Sequence, residues 1–163
     1  MDSAFQMESG KAGISYQGGF FMFCIQWDDS LSVGVHQFDE HHRHLVELLN
    51  KTYNACTGDN KADELESIVS ELIEYTHDHI AAEEYLMERY AYPEASLHKL
   101  EHRMFMEQLG NIDRKLHETE TNPSITLLDL AMLLGHWLSS HIMKIDKRLG
   151  TYLTTRGIVQ GKS

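Results

Sequence analysis

Apolar residues recur at helical spacing in four long stretches of the chain, and polar segments separate these stretches. The stretches predict helices over residues 39–56, 62–90, 93–117 and 124–149. Asp39 and Ser124 are predicted to cap the first and fourth helices, and Pro93 suits the first turn of the third. Gly150 is predicted to stop the fourth helix. No stretch argues for a sheet.

Short connections join these four amphipathic helices, so neighbouring helices must run in opposite directions. The predicted fold is therefore all-α, an antiparallel up-down-up-down four-helix bundle. Residues 1–26 are predicted to be a flexible N-terminal extension because they begin polar and Gly/Ser-rich without a sustained period. Residues 27–152 are predicted to form the bundle, and residues 153–163 a C-terminal tail. The apolar face of the third helix is predicted to consist of Leu97, Leu100, Met104, Phe105 and Leu109.

Length and charge narrow the classes of function. A chain of 163 residues suits one domain, and 14 Lys and Arg against 25 Asp and Glu give a formal charge of -11, which disfavours nucleic acid as a partner. The apolar run at 20–25 is far shorter than the roughly 20 residues that span a bilayer. No secretory signal is recognisable. We therefore expect no membrane insertion and a cytoplasmic location, with Cys24 and Cys56 as reduced thiols.

The chain has 11 histidines, and some of them fall on predicted apolar faces. His98 and His102 are four residues apart and in phase with Phe105, so they are predicted to lie on the buried stripe of the third helix. His79 and Glu83 repeat the four-residue spacing on the second helix. Such a pair taken alone is most often solvated, so the other helices decide its interpretation.

The first and fourth helices add further candidates. His42 lies three residues before Leu45 on the apolar stripe of the first helix. His141 lies one turn from Leu138, but Asp146 is five residues farther on, roughly 140° around an α-helix, which is a weak signal for one shared face.

Burying these five imidazoles and two carboxylates together would be costly without paired charges or metal. The set exceeds the four ligands of a tetrahedral zinc site, whereas two ions bridged by both carboxylates would use all seven groups. Iron is the natural choice for such a set of nitrogen and oxygen ligands. We therefore interpret the cluster as a two-metal site.

Three stretches carry a resemblance to a known family: SVGVHQFDEHHRHL, HDHIAAEEYLMERYAYPEASLHKLEHRMF and HWLSSHIMKID. From about Trp27 to Tyr152 the chain resembles the hemerythrins, specifically the single-domain bacterial kind called bacteriohemerythrins. The resemblance implies a cofactor of two iron ions bridged by an oxo or hydroxo oxygen. His98, His102 and His141 would hold one iron and His42 and His79 the other, with Glu83 and Asp146 bridging them.

The resemblance also implies a function. Dioxygen would bind reversibly at the open position of the two-histidine iron, inside an apolar pocket formed by Leu45, Ile80, Trp137, Leu138 and Ile142. Two positions depart from the family pattern, because Ile80 stands where Phe is usual and Leu149 where Tyr commonly follows the bridging aspartate. The remaining histidines match no ligand position and are expected on the surface or beside ligands: His36, His41, His44, His77, His117 and His136.

Three functions remain open from the sequence. The first is reversible dioxygen binding for oxygen storage, transport or delivery, without enzymatic activity. The second is sensing of oxygen, nitric oxide or redox state by the same site, with a protein partner that receives the signal. The third, a di-iron enzyme, is disfavoured because ferritin-like enzymes use Glu-rich ligand sets with Glu-x-x-His motifs.

Overall fold

A computed structural model of the protein describes residues 25–158. Its four long helices are α1, His36–Thr57; α2, Lys61–Arg89; α3, Ala95–Leu116; and α4, Pro123–Thr155. A short 3-10 turn, Asp29–Leu31, precedes α1, and residues 25–158 contain no strand. The prediction of an all-α bundle of four helices is confirmed.

The direction of each helix follows from the pairs of residues that meet across the bundle. Lys51 and His44 of α1 both pair with Glu71 of α2, and His42 of α1 is level with His79, so the two helices run in opposite directions. Across α2 and α3, Glu84 meets His102 and Glu88 meets Lys99. Across α3 and α4, His98 meets His141 and Lys115 meets Asp129. Neighbouring helices are thus antiparallel, and the ring closes where α1 packs against α4.

The helix starts differ from the predicted caps. The first helix starts at His36, so Asp39 lies inside it, where its buried carboxylate accepts hydrogen bonds from Ser32 Oγ at 2.6 Å and Val33 N–H at 2.7 Å. Asp39 therefore fixes the preceding loop instead of capping the helix. At α4 the cap is Asn122, which accepts from the Ser124 N–H at 3.0 Å. An Asp or Ser near a helix start identifies the region, but the exact capping residue depends on the local chain path.

The predicted apolar face of α3 is partly wrong. Phe105 and Leu109 are buried, whereas Leu97, Leu100 and Met104 are 68%, 43% and 48% exposed. The inner face is built from His98, His102, Phe105, Leu109 and Ile112. Leu97 and Met104 each precede an inner residue by one position, which turns them about 100° away from the core. His98 and His102 occupy two inner positions of α3, and a pattern based on apolar residues alone does not count histidines as inner residues.

The fourth helix is continuous but changes its winding. Pro123–His136 is α-helical, Trp137–Asp146 is π-helical, and Lys147–Thr155 is α-helical again. The predicted stop at Gly150 is wrong, because Gly150 is buried inside the last segment. A Cβ at Gly150 would lie 2.1 Å from the Val33 carbonyl oxygen, so the glycine lets the loop before α1 touch the helix. The first residues of the predicted tail are thus helical, and Leu153 is fully buried.

The two chain ends lie largely outside the described residues. Of the predicted extension only Ile25 and Gln26 are described, and Ile25 exchanges two backbone hydrogen bonds of 2.8 Å with the Asn50 side chain. Cys24 also lies outside the described residues. Pro123–Thr155 is long and apolar enough to cross a membrane, but half of its most apolar window is buried in the bundle, as in a core helix.

Replacing Gly150 with alanine tests the contact between the loop and α4. We expect Gly150→Ala to lower the free energy of unfolding by about 2–3 kcal/mol, because the added methyl group meets backbone atoms that cannot move aside easily. The control is Gly110→Ala on α3, where a Cβ meets nothing within 4 Å. Removing a mid-helix glycine there should stabilise the protein by about 0.5–1 kcal/mol. Urea unfolding of both variants would check this, and equal shifts in the free energy of unfolding would contradict the close contact between Gly150 and Val33.

Candidate metal centre

The middle of the bundle contains a cluster of buried imidazoles and carboxylates. Every one of these side chains is no more than 2% exposed. One comes from α1, and two come from each of the other helices: His42, His79, Glu83, His98, His102, His141 and Asp146. All seven residues that the sequence analysis singled out as ligands are therefore brought together.

Helical winding explains why both members of each pair face inward. On α2 and α3 the paired residues are four positions apart, so they lie one above the other on the same face. His141 and Asp146 are five positions apart, which an α-helix would place on different faces. They lie in the π-helical segment, whose hydrogen bonds run from residue i to i+5, so one turn brings them together. His141 Nε2 accordingly lies 2.9 Å from Asp146 Oδ1.

The cluster divides into two groups that share Glu83 and Asp146. One group adds His98, His102 and His141, and the other adds His42 and His79. Within each group one ligand atom per residue lies within 4.8 Å of the others, which is close enough to hold a metal ion.

All five imidazoles turn their Nε2 atoms toward the shared carboxylates. His102 Nε2 lies 3.2 Å from Glu83 Oε2, and His98 Nε2 lies 2.9 Å from Asp146 Oδ1. In the other group, His42 Nε2 lies 3.2 Å from Asp146 Oδ2, and His79 Nε2 lies 3.7 Å from Glu83 Oε2. Five nitrogens and two carboxylates therefore converge on one small volume.

The polar atoms of this cluster are poorly satisfied by the protein alone. Among residues 25–158, both oxygens of Glu83 and of Asp146 are buried without a hydrogen-bond partner. The Nε2 atoms of His42, His79 and His102 are also buried without one. Each unpaired buried polar group is costly, and ionised ones cost most. Cations between the nitrogens and carboxylates would satisfy all of these atoms at once, so the residues present fit a two-metal centre.

The charges in the cluster also favour cations. Burial lowers the pKa of His79 to about 3, which keeps its imidazole neutral despite the nearby Glu83 carboxylate. Burial and Asp146 would raise the pKa of Glu83, but His79, His102 and His98 lower it to about 2. Burial likewise opposes the charge of His98, yet the Asp146 and Glu83 carboxylates raise its pKa to about 9. An imidazole nitrogen binds metal only when it is unprotonated, so a metal ion bound here would displace a proton from His98.

Three of the predicted pocket residues, Leu45, Trp137 and Leu138, lie on one side of this cluster, whereas Ile142 and Ile80 directly follow the ligands His141 and His79. Leu45 is one turn after His42 on α1, and Trp137 and Leu138 are one turn before His141 on α4. Because α1 and α4 are antiparallel, these three residues lie at the same height along the bundle axis. Leu45 and Ile142 are fully buried, Trp137 and Leu138 nearly so, and Ile80 is half-buried. Trp137 stacks on His141 with ring centroids 3.6 Å apart and an interplanar angle of 11°.

The sequence analysis did not identify two polar residues that lie at the same height in the bundle as Leu45 and Trp137. Tyr75 and Thr76 precede His79 by about one turn on α2, and within the described part of the chain neither hydroxyl oxygen has a hydrogen-bond partner. The Tyr75 ring is parallel to that of His79, with centroids 6.0 Å apart. By contrast, the buried Thr52 hydroxyl donates to the carbonyl of Leu48. The sequence does contain a signal for Thr76, because this threonine falls in phase with the apolar residues of α2.

The six histidines without a predicted ligand role lie outside the cluster. Four of them are exposed: His36, His77, His117 and His136. His44 is half-buried at the surface, where it pairs with Glu47 and Glu71. His41 is half-buried and contacts His79 edge-on at a centroid distance of 5.6 Å. These positions agree with surface or supporting roles.

Comparison with known proteins identifies the family of this site. Residues 33–153 match a family model described as the hemerythrin HHE cation binding domain. The chain belongs to the hemerythrin family. Proteins of this family hold non-haem iron and bind dioxygen. The match includes all seven cluster residues, and the resemblance inferred from the sequence motifs is confirmed.

Individual relatives agree with the family match. The chain is 30% identical over 126 residues to a protein of Stenotrophomonas maltophilia named Bacteriohemerythrin, covering 77% of this chain and 79% of that protein. It is 31% identical to a Bacteriohemerythrin of Pseudomonas aeruginosa, covering 75% and 76% respectively. A Bacteriohemerythrin of Clostridium acetobutylicum is 29% identical over 74% of this chain and 95% of its own length.

A substitution at His79 tests the division into two groups. We expect His79→Ala to lose the ion of the His42 and His79 group, with affinity at that position falling about tenfold or more, because one imidazole alone would remain there beside the shared carboxylates. The matched control is His77→Ala, two residues away and exposed, which should keep its iron. Iron per chain, measured on both purified variants, checks the prediction. Equal iron contents would contradict the assignment of His79.

Proposed function

We propose that this protein binds dioxygen reversibly at a non-haem centre of two iron ions and serves in oxygen storage, transport or delivery. The observation that carries the proposal is the pair of ligand groups that share Glu83 and Asp146. Nitrogen ligands predominate in this set, unlike the Glu-rich sets of ferritin-like di-iron enzymes. Oxygen binding without enzymatic turnover is therefore the function that the site supports best.

In this proposal the two groups have unequal roles. His98, His102 and His141 would hold one iron, His42 and His79 would hold the other, and Glu83 and Asp146 would be available to both. The His42 and His79 group offers one nitrogen fewer, so an ion held there would have room for a small ligand. When bound, the iron pair would supply the electrons for reversible binding of dioxygen. The five imidazoles and two carboxylates suit such ions better than a single tetrahedral zinc.

The apolar residues around the centre have the role of keeping water out. Leu45, Trp137 and Leu138 are buried on the side of the cluster toward the C-terminal half of α1, and Ile142 is buried beside His141. Water and anions that reached the centre would favour loss of bound oxygen and leave ferric iron. Ile80 completes the predicted pocket. As an aliphatic, half-buried residue it closes that edge with less bulk than the Phe that is usual in the family.

The sensing alternative uses the same ligands and differs in the lifetime of the oxygenated form. The unpaired hydroxyls of Tyr75 and Thr76 favour it, because polar groups beside the pocket admit water or bind anions more readily than a wholly apolar wall. A long-lived oxygenated form favours storage or delivery, and rapid conversion to ferric iron with a ligand-dependent protein complex favours sensing. In either case we place the protein in the cytoplasm, without nucleic-acid binding or membrane insertion.

Iron content and visible spectra test the proposed function directly. The reduced protein is examined before air, after air and after removal of oxygen. Two irons per chain with a band that appears and then disappears are the expected result. A permanent ferric spectrum would move the assignment to sensing or redox chemistry, and absence of iron would overturn it.

A pair of leucine substitutions tests the proposed pocket. Leu45 and Leu49 are both buried in α1, but Leu49 is one turn farther from the cluster. Either change to alanine should cost about 2–5 kcal/mol of stability through the cavity it creates. Only Leu45→Ala should speed conversion of the oxygenated protein to the ferric form, because its cavity adjoins the centre. Stopped-flow absorbance with parallel thermal unfolding separates the two effects, and equal autoxidation rates would remove Leu45 from the pocket.

A further inference from the structure

The five ligand imidazoles differ at the nitrogen that points away from the centre. His102 Nδ1 lies 3.1 Å from Glu84 Oε1. The corresponding Nδ1 atoms of His42, His79, His98 and His141 are buried without a hydrogen-bond partner among the residues that the structure describes. His102 is thus the one ligand imidazole of the cluster whose outer nitrogen meets a carboxylate in this part of the chain.

Glu84 is held in place from the other side. It follows Glu83 on α2, but its side chain points across to α3, where Lys99 Nζ lies 3.3 Å from Glu84 Oε2. Lys99 Nζ also lies 2.6 Å from Glu88 Oε1. The carboxylate of Glu84 therefore accepts from His102 with one oxygen and meets an ammonium group with the other. Both it and Lys99 are only partly exposed, so solvent screens these contacts incompletely.

A carboxylate at this position has two physical effects on an imidazole. It fixes the proton on Nδ1, which leaves the Nε2 lone pair free for a metal, and it locks the plane of the ring. The negative charge also makes Nε2 a stronger electron donor. A stronger donor stabilises ferric iron more than ferrous iron, because the ion of higher charge gains more from the donated electrons.

We propose that Glu84 is a positioning residue of the metal centre. It acts through His102 and favours the oxidised state of the ion held by His98, His102 and His141. This inference rests on the proposed iron centre. It adds an asymmetry, because within the described residues the His42 and His79 group has no such carboxylate on its outer nitrogens.

Lys99 opposes this effect. Its ammonium group lies against the same carboxylate and withdraws part of the negative charge from His102. Removal of Glu84 and removal of the Lys99 charge should therefore shift the reduction potential in opposite directions. A residue that merely supported the helix packing would not produce opposite shifts.

Three variants of the full-length, iron-loaded protein test the proposal: Glu84→Gln, Lys99→Met and Glu88→Gln. Glu88 also pairs with Lys99, but its side chain is 72% exposed and it has no ion pair with a ligand histidine among the described residues. Glu88→Gln is therefore the control. The midpoint potential and the rate of iron loss to a chelator are measured for each. We expect Glu84→Gln to raise the potential and to weaken iron binding about tenfold. A tenfold loss confined to ferric iron corresponds to a rise of ~59 mV.

Each outcome decides the proposal. Lys99→Met should lower the potential, and Glu88→Gln should stay close to the unaltered protein. A potential in Glu84→Gln equal to that of Glu88→Gln would overturn the role of Glu84. If Glu84→Gln takes up no iron, Lys99→Met decides: a lower potential supports the proposal, and no shift refutes it. Failure of the unaltered protein to hold iron would instead overturn the proposed function, which keeps the two failures apart.

Discussion

The constraint on which this structure depends is the burial of two ionised carboxylates, Glu83 and Asp146, at the centre of a helical bundle. Ionised groups in such surroundings are tolerated when cations or strong hydrogen-bond donors compensate them. Within the described residues, the side-chain oxygens of both carboxylates have no hydrogen-bond partner, although five imidazoles surround them. Protein groups alone leave the cluster unsatisfied, and bound metal would resolve the conflict.

The winding of α4 serves this requirement. The π-helical segment of α4 brings His141 and Asp146 to the same face, although regular α-helical winding would separate them. Beyond that segment, Gly150 admits the loop that Asp39 anchors from α1. Together these contacts hold the end of α4 against α1, close to the point where His42 meets Asp146. The geometry of the site is thus set by packing far along the helix as well as beside it.

The site is asymmetric at two levels. Three imidazoles belong to one group and two to the other. The three-imidazole side also carries the Glu84 contact, which would favour its oxidised state. In the proposed iron centre, this inequality would suit reversible electron sharing with a small ligand better than two equivalent positions would.

The sequence by itself determined the four helices, the bundle and the inward pairs His79/Glu83 and His98/His102, because helical period and four-residue spacing are local properties that survive folding. For His141 and Asp146 the spacing gave only a weak signal. Tertiary structure decided the rest. It placed Leu97 and Met104 in solvent although they fit the apolar pattern, because the histidines of α3 took the inward positions. It also gave α4 a π-helical segment and brought Glu84 of the neighbouring helix to His102. Such contacts depend on how helices rotate against one another, and local spacing carries no information about that rotation.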